Sequence, residues 1–117
     1  MIVMNYTLQF IRPLDRPAVL QQCFDGLNLG GILVLSEKIL EQSGMTSRLF
    51  NDMYYRYKRR MGYSELEISR KREQLENVLV PYKVDEYIEL LKSVGFDHVG
   101  MFFKWHNFAS FIAIRSL

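Results

Sequence analysis

Apolar and polar positions along this chain switch between two periods, and each switch marks an element. Met1 to Tyr6 is a continuous apolar run ending in polar residues, the pattern of a strand covered on both faces. Pro13 and Asp15 then introduce a helix with Pro17 in its first turn, and Leu20, Cys23, Phe24 and Leu27 form its apolar stripe. Gly30 and Gly31 close the connection, and Ile32 to Leu35 predicts a second short buried strand. From about Thr46 to Arg60 the spacing is helical again. Leu49, Phe50, Met53, Tyr54 and Tyr57 share one side, and Arg48, Asp52, Arg56 and Arg59 the other. Gly62 supplies the stop.

The next helix is announced by Ser64 and Glu67, the S-x-x-E capping box that satisfies orphan N–H groups at a helix start. Ile68, Leu75 and Leu79 make its stripe, and Pro81 breaks the chain after it. Val84, Tyr87, Ile88, Leu91 and Val94 define one more helix, closed by Gly95. The end changes period: Val99, Met101, Phe103 and Trp105 alternate, His106-Asn107 reads as a turn, and Ala109 to Ile114 is a dense apolar strand. Strands and helices in this order predict an open α/β sheet. It is parallel in its first part, carries inserted helices and closes with an antiparallel hairpin.

Length and charge narrow the function classes. At 117 residues with 49% hydrophobic content, the chain buries one modest core and reads as a single domain. A net charge of +2 gives no bulk electrostatic case for nucleic acid or an anionic membrane. The single cysteine, Cys23, rules out an internal disulfide and fits a reducing cytoplasm. No apolar run approaches the ~20 residues that span a bilayer. The N-terminal residues lack the basic segment and cleavage site of a signal peptide, so a cytoplasmic protein is expected. His98 and His106 are the only histidines, and no metal-ligand spacing occurs. Neither a P-loop, nor a G-x-S-x-G elbow, nor a G-x-G-x-x-G loop is present.

Arg72 is the position that asks for chemistry. It sits four residues after Ile68 on the apolar stripe, where a buried guanidinium without an anion is costly. Two readings stand: an internal ion pair with Glu37, Glu41 or Asp52, or a fixed cation for an external carboxylate or phosphate. Glu37 follows the second strand, where a general base could lie, although an ion pair with Lys38 or Arg72 is the plainer reading. Arg56, Lys58, Arg59 and Arg60 with Tyr54, Tyr55 and Tyr57 form a basic and aromatic stretch that also fits a solvated, packed helix. Direct RNA binding is therefore not expected. Cys23 reads as core, and Trp105 with His106 as a hairpin tip or an interface anchor.

Five segments together resemble one family. They are MNYTLQF (Met4 to Phe10), GLNLGGILVLSEK (Gly26 to Lys38), GYSELEIS (Gly62 to Ser69), KR..LENV (Lys71 to Val78) and NFASFIAI (Asn107 to Ile114). They resemble the C-terminal half of carboxy-S-adenosyl-L-methionine synthase, with the GYSELEIS and KR..LENV pair the most specific. The resemblance implies a class I S-adenosylmethionine-dependent methyltransferase fold, Rossmann-like, of which residues 1–117 are a partial domain. It implies a transferase that converts S-adenosyl-L-methionine and prephenate to carboxy-S-adenosyl-L-methionine and phenylpyruvate. That product then serves the carboxymethylation of a transfer-RNA wobble uridine. Asn5 matches the asparagine that lies against the cofactor at the end of the fourth strand, in keeping with ligands at the carboxyl ends of parallel strands. Arg72 matches the arginine that receives the product's extra carboxylate, a task suited to a bidentate guanidinium. Tyr6 joins the cofactor site by adjacency alone, and no general base is assigned.

The chain departs from the family pattern at Tyr6, at Tyr54-Tyr55 and in the KWHNF hairpin (Lys104 to Phe108). The family's glycine-rich loop after the first strand, and the acidic residue after the second, belong to a half that this sequence does not contain. The chain by itself is therefore expected to bind the cofactor weakly, to expose the edge of its first strand, and to pair as a homodimer or with a complementary half. A non-catalytic remnant that pairs with a methyltransferase-fold partner is the alternative.

Overall fold

A computed structural model describes residues 1–76 and 78–116. Asn77 of the KR..LENV segment lies outside the described residues. In chain order the elements are β1 (Ile2–Asn5), α1 (Arg16–Gly26), β2 (Ile32–Leu40), α2 (Gly44–Arg60), α3 (Glu65–Glu76), β3 (Tyr82–Lys83), α4 (Val84–Ser93), β4 (His98–Trp105) and β5 (Phe108–Ile114). Two short 3-10 turns, Leu8–Phe10 and Pro13–Asp15, fill the passage from β1 to α1.

The sheet runs β1-β2-β5-β4, with β1 parallel to β2 and the β4-β5 hairpin antiparallel. The mixed α/β architecture with a parallel start and an antiparallel hairpin is the expected one. The register sets the core. Ile2, Leu33, Ala113 and Val99 form one cross-strand row, and Leu33, Leu35, Glu37 and Ile39 all point to the same covered face. On that face Leu20 and Leu27 of the α1 segment meet Tyr87, Leu91, Val94 and Phe96 from α4 and its exit. Gly95 turns at φ +124°, and a Cβ there would meet the Phe24 ring at 2.8 Å, so the close packing of α1 on α4 needs glycine.

Three expectations are corrected. β1 is covered on one face only: Ile2 and Met4 join the core, whereas Met1 and Val3 are exposed, because the core elements pack on a single face of the strand. β2 continues to Leu40 instead of stopping at Leu35. Its polar residues have tertiary partners: the Ser36 and Ser110 hydroxyls share a hydrogen bond of 2.7 Å, and Glu37 takes backbone donors. α2 buries none of its residues completely, and Leu49 is exposed, so its apolar side is a partial contact and not a core stripe. The two-residue β3 beside β2 has no counterpart in the sequence pattern.

Candidate functional site

The turn after β1 is where the described structure concentrates its buried polar contacts. Tyr6 takes a left-handed φ of +52°, its N–H donating to the Ser36 carbonyl at 2.8 Å, and the chain then folds back over β2. Both carboxylate oxygens of the fully buried Glu37 accept backbone N–H groups there, from Leu8 at 3.0 Å and Gln9 at 3.2 Å. The Gln9 side chain returns the grip, its Oε1 accepting the Lys38 N–H at 2.7 Å.

Arg16 completes the joint. It is fully buried, it donates to the carbonyls of Ile11 (2.8 Å), Gln9 (3.1 Å) and Val80 (2.7 Å), and its guanidinium lies 4.5 Å over the Tyr82 ring. Val80 also donates its N–H to the Gln9 carbonyl at 3.1 Å. One arginine thus ties the turn after β1 to the segment that follows α3. Sequence periodicity gave no signal for it, since Arg16 precedes a proline at the start of a helix and looks solvated.

Between these parts lies a cavity of about 240 Å³. Gln9 and Lys38 form one side, Tyr54, Tyr55 and Lys58 of α2 another, and Ile68, Lys71, Arg72, Leu75 and Leu79 a third, with Phe108 at the hairpin. Ile68, Arg72 and Leu75 share a stripe of α3 that faces this cavity, whereas Leu79, expected on the same helix, lies beyond its end at Glu76 and reaches the cavity from the segment that follows. Only Ile68 among the described residues of α3 is buried, and Arg72 is exposed, which corrects the expectation of a partly buried cation. The guanidinium stacks 4.5 Å over the Tyr55 ring, with Nε 3.3 Å from the hydroxyl. Exposure to water in an open cavity removes the cost that burial would impose.

None of the three carboxylates considered for Arg72 pairs with it among the described residues. Glu37 takes backbone donors, Glu41 meets Lys104 at 2.6 Å, and no ion pair joins Asp52 to Arg72. Glu37 likewise pairs with neither Lys38 nor Arg72. Strand alternation explains it: Glu37 points to the core face and Lys38 to the cavity face of β2. Burial pushes the Glu37 carboxyl up to about 7, against the downward pull of the Gln9 and Leu8 amides and the Arg16 charge. Burial, then the nearby charges of Lys58 and Arg72, holds the Lys38 ammonium below its ordinary range.

Asn5 and Tyr6 stand beside the cavity and do not line it. Asn5 is exposed at the carboxyl end of β1, paired with Ser36, and its carbonyl accepts the Thr7 hydroxyl at 3.0 Å. The Tyr6 ring meets Phe108 edge-on at 5.7 Å, and Phe108 meets Tyr54 at 5.0 Å. The structure therefore brings Arg72 together with Lys38, Lys58 and Tyr55, and reaches Tyr6 through one aromatic contact. Lys38 and Lys58 were legible only as charges on a strand end and a helix.

The remaining candidates resolve into packing. Arg59 forks onto Glu65, Lys58 lies over the Tyr54 and Tyr63 rings, and Tyr57 packs on Trp105 at 4.9 Å. Cys23 is half-buried against the core, and burial raises its thiol pKa. Among the described residues, no group of three or more His, Cys, Asp or Glu could hold a metal, and no helix is long and apolar enough to cross a membrane.

The parallel start and the antiparallel closing hairpin are a fold shared with solved S-adenosylmethionine-dependent methyltransferases. Among solved structures, PigF with SAH superposes with a TM-score of 0.63 at 14% identity, over 97% of this chain and 29% of that one. The S-adenosylmethionine-dependent methyltransferase SibL gives a TM-score of 0.62 at 14% identity, over 98% and 30%. Those likenesses carry the fold. No family model matches the chain. Sequence relatives decide the family: the carboxy-S-adenosyl-L-methionine synthase of Nautilia profundicola is 49% identical over 97% of this chain and 49% of its own length. That of Methylococcus capsulatus is 51% identical over 97% of this chain and 47% of its own. The chain belongs to the carboxy-S-adenosyl-L-methionine synthase family, and it spans about half the length of the curated relatives it matches.

Proposed function

We propose that this chain is the C-terminal, carboxylate-recognising part of a carboxy-S-adenosyl-L-methionine synthase. In this reading residues 1–117 are one partial domain of a cytoplasmic transferase. The complete enzyme uses S-adenosyl-L-methionine and prephenate, and its product serves transfer-RNA modification. Asn5 and Tyr6 lie against the nucleoside at the end of β1, and Arg72 receives the carboxylate that distinguishes product from cofactor. The supporting observation is the Arg72 guanidinium, held on Tyr55 at the wall of a cavity that Lys38 and Lys58 also line. A carboxylate of ligand origin suits such an arrangement of cations.

The same relatives carry a further half, in which the class places its glycine-rich cofactor loop. Competence therefore requires that half, and the isolated chain binds S-adenosyl-L-methionine weakly. Calorimetry on the chain joined to such a half tests the role of Arg72. Arg72→Ala is expected to cost carboxy-S-adenosyl-L-methionine roughly 1.5–3 kcal/mol relative to S-adenosyl-L-methionine, the worth of a charged hydrogen bond. An unchanged preference removes Arg72 from the site.

A second reading has its own observation. Met1 and Val3 on the edge strand and Phe102 and Phe103 on the opposite edge are exposed, which suits a non-catalytic module that pairs with a methyltransferase-fold partner or with its own copy.

A further inference from the structure

Arg16 does not line the cavity, yet its bonds reach two of the cavity's walls. Its Nη2 donates to two carbonyls at once, Gln9 at 3.1 Å and Val80 at 2.7 Å, while Nε donates to Ile11 at 2.8 Å. The Val80 N–H donates in turn to the Gln9 carbonyl, so guanidinium, Gln9 and Val80 close a circuit of hydrogen bonds. On one side of the circuit Gln9 lines the cavity, donates its N–H to Glu37 and accepts the Lys38 N–H on its side chain. On the other side Val80 adjoins Leu79, which lines the α3 wall.

The circuit governs where α3 lies. The Leu75 carbonyl accepts the N–H groups of Val78 at 3.1 Å and Leu79 at 2.9 Å, so helical bonding carries on from α3 almost to Val80. A displacement of Val80 is thereby passed back about two turns, to Arg72. Contacts from α3 to α2, Arg59 on Glu65 and Arg72 on Tyr55, are exposed, and exposed pairs hold an element weakly. The buried bonds at the exit are the firmer constraint.

An arginine suits this place and a lysine does not. The planar fork presents its donors in fixed directions, Nε toward Ile11 and Nη2 between two carbonyls, with its face 4.5 Å over the Tyr82 ring. An ammonium keeps the charge at one point and cannot hold the three carbonyls in the same places.

We propose that Arg16 is a positioning residue of the cavity: by bridging Gln9 and Val80 it sets the spacing between the β2 wall and α3, and so places Arg72. The ligand readout of this role rests on the reading of Arg72 as a carboxylate receiver, whereas the placement of α3 is read without a ligand.

Both readouts use the chain joined to a complementary half. In calorimetry, Arg16→Lys is expected to lower the preference for carboxy-S-adenosyl-L-methionine over S-adenosyl-L-methionine by roughly three- to tenfold, less than Arg72→Ala does. In an Arg72→Ala background the same change should leave the preference where it stands. Equal weakening of both ligands is what a merely structural role produces, and it overturns the positioning role. Arg16→Gln, which removes the buried charge together with the fork, stands in should the lysine variant fail to fold by circular dichroism. Loss of fold in both variants assigns Arg16 to stability alone and likewise overturns it. The nuclear Overhauser contact between the Arg72 side chain and the Tyr55 ring supplies the ligand-free readout, and it should weaken in Arg16→Lys. A weakened contact, with a preference that Arg72→Ala leaves unchanged, discards Arg72 as the carboxylate receiver and keeps Arg16. A preference lowered by Arg72→Ala, with neither preference nor contact altered by Arg16→Lys, keeps Arg72 and discards Arg16.

Discussion

Glu37 sits in an environment far from that of a free side chain. It is fully buried on the core face of β2, and both its oxygens accept backbone N–H groups from the turn after β1. Its folded pKa of about 7 lies above the ordinary 4.5. A raised acid favours folding when protonated. The stability it contributes is complete below about pH 4.5 and is lost as pH rises through about 7. The urea midpoint is therefore expected to fall as pH is raised across this window, and Glu37→Gln is expected to flatten that fall. Equal slopes in the two chains would mean that other groups set the pH dependence. In the sequence Glu37 shows only that an acid follows a strand, and burial and donors come from the turn folded over it. Arg72 is the mirror case: its place on a stripe with Ile68 and Leu75 was legible, its solvation was not.

At the scale of elements, α3 depends on its ends. The Ser64 hydroxyl accepts the Glu67 N–H at 3.1 Å and the Glu67 carboxylate accepts the Ser64 N–H at 3.3 Å, the capping box read from the sequence. Burial adds little to the helix, since Ile68 is its single buried described residue, and its other contacts to α2, Arg59 on Glu65 and Arg72 on Tyr55, are exposed. Ser64→Ala should cost about 1 kcal/mol in α3. Amide exchange in the first turns of α3 is expected to quicken while exchange in β2 and β5 stays as it was; a uniform change across the chain would refute a local cap. The extension of β2 to Leu40 shows the opposite dependence. Ser36, Glu37 and Lys38 look like a strand's polar exit, and only Ser110, the Leu8 and Gln9 amides and the cavity explain why pairing continues through them.

The whole molecule is elongated, 49 × 25 × 23 Å, with a radius of gyration of 15.6 Å. A compact chain of this length has about 13 Å. α1 and α4 cover one sheet face, and the row Val3, Val34, Ile112 on the other face is only partly covered, with Val3 exposed at the open edge. Unpaired edge groups beside apolar side chains favour pairing with another chain. Sedimentation at tens of micromolar should show association, reduced by Val3→Lys. A monodisperse monomer would contradict the pairing of copies.

Local order and capping, together with the family, were determined by the sequence alone: hydrophobic period, the Ser64–Glu67 spacing and the GYSELEIS segment are properties of residues close together in the chain. The tertiary structure alone decided which charges share a space. Arg16 and Glu37 are buried, Lys38 meets Lys58 and Arg72, and Asn5 stands aside, because the folding of one turn over β2 and the seating of α3 against it are contacts between residues tens of positions apart. No local pattern encodes such a meeting, since its free energy arises only once both partners have left water.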